Sequence, residues 1–220
     1  MNRSFKLCIF ALVPWAGGTY TKASAQTDSL WVDPYVTDDS ITVCSRTVPE
    51  SGILELRAEC VVNVPSGIVF QTAMRRDTYQ HTSKYVVDYR IIQTDSSNVW
   101  YTYQRLAIPI FQDRDYTLRY EAMLDSIRGD YSLVWTIANE KGPPPRENVV
   151  RVQASRGALE MVPVEAGTKT RLTCTIYADP GGSIPGWLAN IGNRSTVPNL
   201  LRAIRDKSMA EHDSRRTDEH

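Results

Sequence analysis

Histidine is scarce in this chain: three in 220 residues, at positions 81, 212 and 220. Only His81 falls in a stretch that reads as folded, and that stretch is polar, so it reads as a surface side chain. There is no G-x-S-x-G elbow, no P-loop and no G-x-G-x-x-G run, and no His/Cys cluster at metal-ligand spacing. A metal, a nucleotide cofactor and an activated nucleophile are therefore not expected. An excess of positive charge is also missing, with 25 Lys+Arg against 25 Asp+Glu. Nothing could neutralise a phosphate backbone, which removes nucleic acid as a partner. Glycine and proline, 12 each, are at ordinary levels, and neither repeats nor low-complexity stretches occur.

Long apolar runs are absent too. The longest, Leu7 to Val13, is far short of the about 20 residues needed to span a bilayer. It follows Arg3 and Lys6 and precedes Ala23-Ser24-Ala25, the pattern of a cleaved secretory signal over residues 1–25. Export to the periplasm or the medium is the expectation. The remaining chain is slightly acidic and keeps Cys44, Cys60 and Cys174. Three thiols cannot all pair, and each sits in an alternating run, so they read as small core hydrophobes.

The chain has 42% hydrophobic residues, enough for one core and one domain over residues 26–207. Trp31 and Tyr35 read as anchors in an otherwise mixed, acidic beginning. Leu54, Leu56, Ala58, Cys60 and Val62 alternate with Glu55, Arg57 and Glu59, the pattern of a half-buried strand. Pro65-Ser66-Gly67 opens a helical stretch to about residue 75, and a second short helical piece extends to about residue 84. Strands are predicted over 86–95, 99–108, 115–125, 129–138, 149–155, 157–164 and 168–178, joined at hairpin spacing, so the sheet should be antiparallel and meandering. Tyr116, Leu118, Tyr120, Ala122 and Leu124 share one face, against Thr117, Arg119, Glu121 and Asp125 on a wet one. Tyr131, Leu133, Trp135 and Ile137 align likewise, as do Leu172, Cys174 and Ile176.

The chain then returns to helix. Ser183 reads as an N-cap, with Pro185 in the first turn. Trp187, Leu188, Ile191, Val197, Leu201 and Ile204 form an apolar stripe, Pro198 predicts a kink or break, and 208–220 reads as a frayed polar tail. Eleven tyrosines and five tryptophans stand out, several on the buried strand parity. A curved sheet with a helix laid across its apolar face leaves a cleft that such rings would wall. Lys141-Gly142-Pro143-Pro144-Pro145-Arg146 reads as a rigid connector.

Three stretches point to one family. They are Arg114-Asp115-Tyr116 after the strand from Trp100 to Pro109, Trp135-Thr136-Ile137-Ala138-Asn139-Glu140 with the proline-rich loop, and Tyr177-Ala178-Asp179-Pro180-Gly181-Gly182-Ser183-Ile184-Pro185-Gly186-Trp187-Leu188. Together they resemble the START family of StAR-related lipid-transfer domains over about residues 30–207. Ile41 to Arg46 resembles the family's early strand, with Ser40 for its glycine and Cys44 for its tyrosine. The resemblance implies an α+β helix-grip fold, a curved antiparallel sheet gripping a C-terminal helix around a tunnel for one lipid. It also implies binding without chemistry. Some sterol-binding members place an arginine six residues after the R-D arginine. That position is Tyr120 here, and the strand from Trp100 to Ile108 has no acid, so sterol specificity does not carry over.

The candidate ligand-facing residues are Tyr103, Tyr116, Tyr120, Trp135 and Ile137 on strands, Asn139 after them, and Trp187, Leu188, Ile191 and Leu201 on the helix. The expected partner is one lipid or sterol-like apolar ligand, held by a monomer with transient membrane contact and no cofactor. Two alternatives are an enzyme of the same broad superfamily, cyclase- or hydrolase-like, for which no inward acid or base is visible, and a closed-core structural module.

Overall fold

The computed structural model describes residues 31–49, 51–75, 78, 85–125 and 127–218. The predicted signal segment, His81 and most of the second short helical piece lie outside the described residues. The elements are β1 (Val32–Val36), β2 (Thr42–Thr47), β3 (Leu54–Val62), α1 (Ser66–Ala73), β4 (Val86–Ser96), β5 (Val99–Leu106), β6 (Asp113–Asp125), β7 (Asp130–Ile137), β8 (Val149–Arg151), β9 (Ala154–Val164), β10 (Lys169–Asp179) and α2 (Gly186–Asp218).

The strands form one curved sheet in the order β1-β2-β3-β10-β9-β7-β6-β5-β4. All these pairings are antiparallel. The expected meander holds from β4 to β7. Two features depart from it. β10 closes back onto β3, across the longest sequence separation in the sheet. β8 lies parallel to the start of β6, through Asp113↔Val149 to Asp115↔Arg151, because β7 ends at Ile137 and leaves that stretch of β6 without a neighbour. The proline-rich connector between β7 and β8 carries the chain back to fill it.

The concave face holds the core. Leu56, Ala58 and Val62 of β3, Leu159 and Met161 of β9, and Leu172 and Cys174 of β10 are fully buried, as the alternation predicts. α1 closes one end. Ser66 Oγ donates to the Gly129 carbonyl at 2.7 Å, and Phe70 stacks on Tyr131 with ring centroids 4.8 Å apart. α2 lies across β3 and β10 and against α1, contributing Val197, Leu200, Leu201 and Ile204 to the same core.

α2 differs from expectation in four ways. It starts at Gly186, where the Pro185 carbonyl accepts from Leu188 and Ala189, so Ser183 is not its N-cap. It passes through Pro198 without a break. The missing proline donor would orphan the Arg194 carbonyl four residues back, and the Tyr35 hydroxyl donates to that carbonyl at 3.2 Å. It does not fray at residue 208 but runs to Asp218, because Ser208 is fully buried and Glu211 binds Arg75 and Thr72 beside α1. Finally, its first turns face the sheet with different residues from those predicted, as described below. The anchor reading of Trp31 holds also: the Arg46 guanidinium lies 4.7 Å from its ring centroid.

Candidate functional site

Strand register places one transverse row across the concave face: Trp100, Tyr120, Trp135, Gly157, Ile176 and Leu56. Trp100 and Tyr120 stack in parallel at 5.4 Å, and Tyr120 meets Trp135 at 5.9 Å. Gly157 completes the row by having no side chain: a Cβ there would overlap the Trp135 indole and come within 2.7 Å of the Thr175 carbonyl oxygen. The indole therefore packs over the backbone of β9, and the row's side chains belong to, or pack against, the same core cluster as Val197 and Leu201 of α2.

A second row, four residues further along β5, is polar. Tyr89, Gln104 and Tyr116 are register partners on β4, β5 and β6. The Tyr116 hydroxyl donates to Oε1 of Gln104 at 3.0 Å. Burial pushes the Tyr116 phenol well above its ordinary value, with a smaller contribution from Tyr89. Tyr116 is only partly buried as a residue, as are Trp100 and Ile137, all of them packed against the core. Between the rows stands Thr102, fully buried, whose Oγ1 has no hydrogen-bond partner among the described residues.

The structure thus brings Tyr116, Tyr120, Trp135, Ile137 and Leu201 together around one concave face. It separates the other candidates from it. Tyr103 pairs with Thr117, one residue out of phase with Trp100 and Gln104, and so lies on the convex face. There it is fully buried, donating to Asp115 at 3.1 Å, with Arg90 4.9 Å from its ring centroid. Asn139 is a structural pin: its Oδ1 accepts from the Thr117 backbone at 2.9 Å and its Nδ2 donates to the Val152 carbonyl at 2.7 Å. Trp187 and Ile191 are exposed, at 66% and 58%, and Leu188 is half-buried outside the core. The reason is that the first turns of α2 dock through asparagines. Asn190 bonds both the Leu54 amide at 2.8 Å and the Gly52 carbonyl at 3.0 Å, and Asn193 bonds the Ala178 carbonyl at 3.0 Å. Those polar contacts fix the rotation of the helix and turn Trp187 and Ile191 outward.

Thr117 was expected on the wet face and is fully buried, covered by the connector at Gly142. Leu124, expected inside, is 49% exposed near the strand end. The R-D-Y motif is architectural in its first two residues. Arg114, fully buried, donates to the carbonyls of Gln112 and Gly181, tying β6 to the turn before α2. Asp115 accepts from Arg151 at 2.7 and 3.1 Å, fixing β8 against β6. The thiols behave as predicted for core residues: burial pushes Cys60 up to about 11 and Cys174 up to about 12, so both stay protonated. Among the described residues, no group of three or more His, Cys, Asp or Glu could hold a metal ion. The sequence reading missed Trp100, Tyr89, Thr102 and Gln104, although the strict alternation of Trp100, Thr102 and Gln104 placed them together. Gly157, an isolated glycine within a strand, was the signal for the ring packed over it.

No family model matches the sequence, and no curated protein matches it. Solved structures do match. A STAR-related lipid transfer protein from Xanthomonas axonopodis, residues 25–204, aligns with a TM-score of 0.70 at 22% identity, covering 81% of this chain and 98% of that one. Human StAR-related lipid transfer protein 5 aligns with a TM-score of 0.70 at 16% identity, covering 86% and 90%. The lipid transfer and protein localization domain of human StarD13 aligns at 0.64 and 18% identity, covering 81% and 88%. The chain therefore has the helix-grip fold of StAR-related lipid-transfer domains, as its motifs led one to expect.

Proposed function

We propose that this chain binds one apolar lipid in a hollow between its aromatic concave face and α2, and carries or senses it without chemical change. The observation that carries this reading is the aromatic wall: Trp100 stacks on Tyr120, and Trp135 lies against Tyr120, all on the concave face. Trp100, Tyr116 and Ile137 of that face are only partly buried. The rings of Trp100, Tyr120 and Trp135 would give the hollow an apolar wall, and the similar structures named above are lipid-transfer proteins by description.

The turn of Asp179-Pro180-Gly181-Gly182 leads into α2, with Gly181 and Gly182 at φ of 64° and 67°. It is the flexible attachment about which the helix would open. The exposed Trp187 stands just beyond it, with a ring suited to a membrane interface, which supports transient membrane contact during exchange. In this reading the protein acts outside the cytoplasm, after loss of the signal segment. Native mass spectrometry of the protein purified from its own cells, followed by lipid extraction, tests it. A single co-purified lipid per chain is the expected result. A chain that stays empty, and takes up no lipid from vesicles, would overturn it.

A further inference from the structure

We infer that the lipid held here has an uncharged, hydrogen-bonding headgroup, a free hydroxyl or a carbonyl, and that Tyr89, Gln104 and Tyr116 are the residues that select it. This rests on the lipid-binding reading above and specifies the ligand class. The row is built from neutral groups across three adjacent strands. Tyr116 donates to Oε1 of Gln104. That bond leaves the amide Nε2 donors and the phenol lone pairs for a ligand. Thr102, two residues along β5 on the same face, has a hydroxyl with no partner among the described residues; being fully buried, it would meet a ligand oxygen only in the lipid-loaded form.

Charge is kept away from the same place. The positions of β5 that share this face, Trp100, Thr102, Gln104 and Leu106, are all neutral. On this side of β6 the one charged residue is Arg114. It is fully buried against Val150 and Gly182; two of its guanidinium nitrogens donate to the Gln112 and Gly181 carbonyls, and Nε has no partner among the described residues. A phosphate or carboxylate brought to Gln104 would lose its hydration, and on these faces of β5 and β6 only Arg114, already bonded to two carbonyls, could replace it. A lone alcohol or ester carbonyl would lose little and gain one or two bonds.

The test uses three lipids with identical chains, so that the apolar wall contributes equally. Delipidated protein is offered dioleoylglycerol, dioleoyl phosphatidylcholine and dioleoyl phosphatidylglycerol together in vesicles, and the bound lipid is counted by native mass spectrometry. Dioleoylglycerol should exceed each phospholipid by at least about tenfold. Gln104→Leu and Tyr116→Phe should each lower its loading about 5- to 10-fold, as the loss of one buried hydrogen bond does. Tyr101→Phe, on the convex face, should leave it unchanged. Thermal melting of each variant separates lost binding from lost folding. Equal loading of the three lipids, preference for a phospholipid, or dioleoylglycerol loading that survives both substitutions in folded protein overturns the inference. Failure of all three to load wild-type protein would instead overturn the lipid-binding reading beneath it.

Discussion

At the scale of single residues, the concave wall depends on a large ring fitted to a missing side chain. Trp135 occupies the volume that any residue larger than glycine would need at position 157. Gly157→Ala should therefore destabilise the protein by about 1–3 kcal/mol, through overpacking against both an indole and a backbone carbonyl. Urea denaturation of the variant measures this, and an unchanged midpoint would show that the ring can move aside. Trp135→Ala should cost more, about 3–5 kcal/mol, because it removes the large ring packed between Tyr120 and Gly157 and leaves a void. Its effect on lipid loading has to be compared with a convex-face variant such as Tyr101→Phe. Thr117 is unsuitable for that comparison, since it is buried beneath Gly142.

At the scale of elements, α2 is latched to the β1–β2 connection at its middle. Asp39 accepts from Arg202 at 2.9 and 3.0 Å and from Arg205 at 2.7 Å. These bonds, with one from Thr37, hold the Asp39 carboxyl well below the usual carboxylate range, the bond from Arg202 first among them. A carboxyl depressed in the folded state adds stability above its unfolded pKa, and that contribution is lost only as pH falls through the lower folded value. The latch should thus persist through mildly acidic conditions. Asp39→Asn should loosen it at neutral pH, speeding hydrogen exchange in the α2 turns around Arg202 and accelerating lipid exchange. If wild-type and variant exchange a fluorescent lipid at equal rates, the middle of α2 is not the moving part. Tyr35→Phe tests the same helix differently. It removes the donor to the carbonyl orphaned by Pro198 and should cost about 1 kcal/mol in melting experiments.

For the whole molecule, a lipid bound as proposed would belong to the folded state and not to the unfolded one. Loading should raise stability by mass action, about 2.7 kcal/mol when free lipid is 100-fold above its dissociation constant. For a chain of this size that corresponds to a melting temperature roughly 5–10 °C higher than that of delipidated protein. The increase should be smaller in Gln104→Leu if that residue meets the headgroup. Calorimetry of loaded and stripped samples checks this, and identical melting curves would mean that the added lipid does not bind the native state.

The strands from β4 to β7, the alternation of β3 and the apolar half-stripe of Val197, Leu201 and Ile204 were determined locally. Period-two and helical spacing force those residues to one side whatever the rest of the chain does. The three motifs carried the fold as well. Tertiary structure decided the rest, because it depended on which surface covers which. Tyr103 and Tyr116 are both tyrosines on amphipathic strands. Only the pairing of Tyr103 with Thr117, and of Tyr116 with Gln104, puts one outside against Asp115 and the other inside. Hydropathy turned Trp187 and Ile191 inward. The asparagines at 190 and 193 turned them out, by bonding backbone groups at the ends of β3 and β10 that are distant in sequence. Spacing along one segment sets which residues share a face. Hydrogen bonds from other segments decide where that face points, and those partners cannot be read from the segment alone.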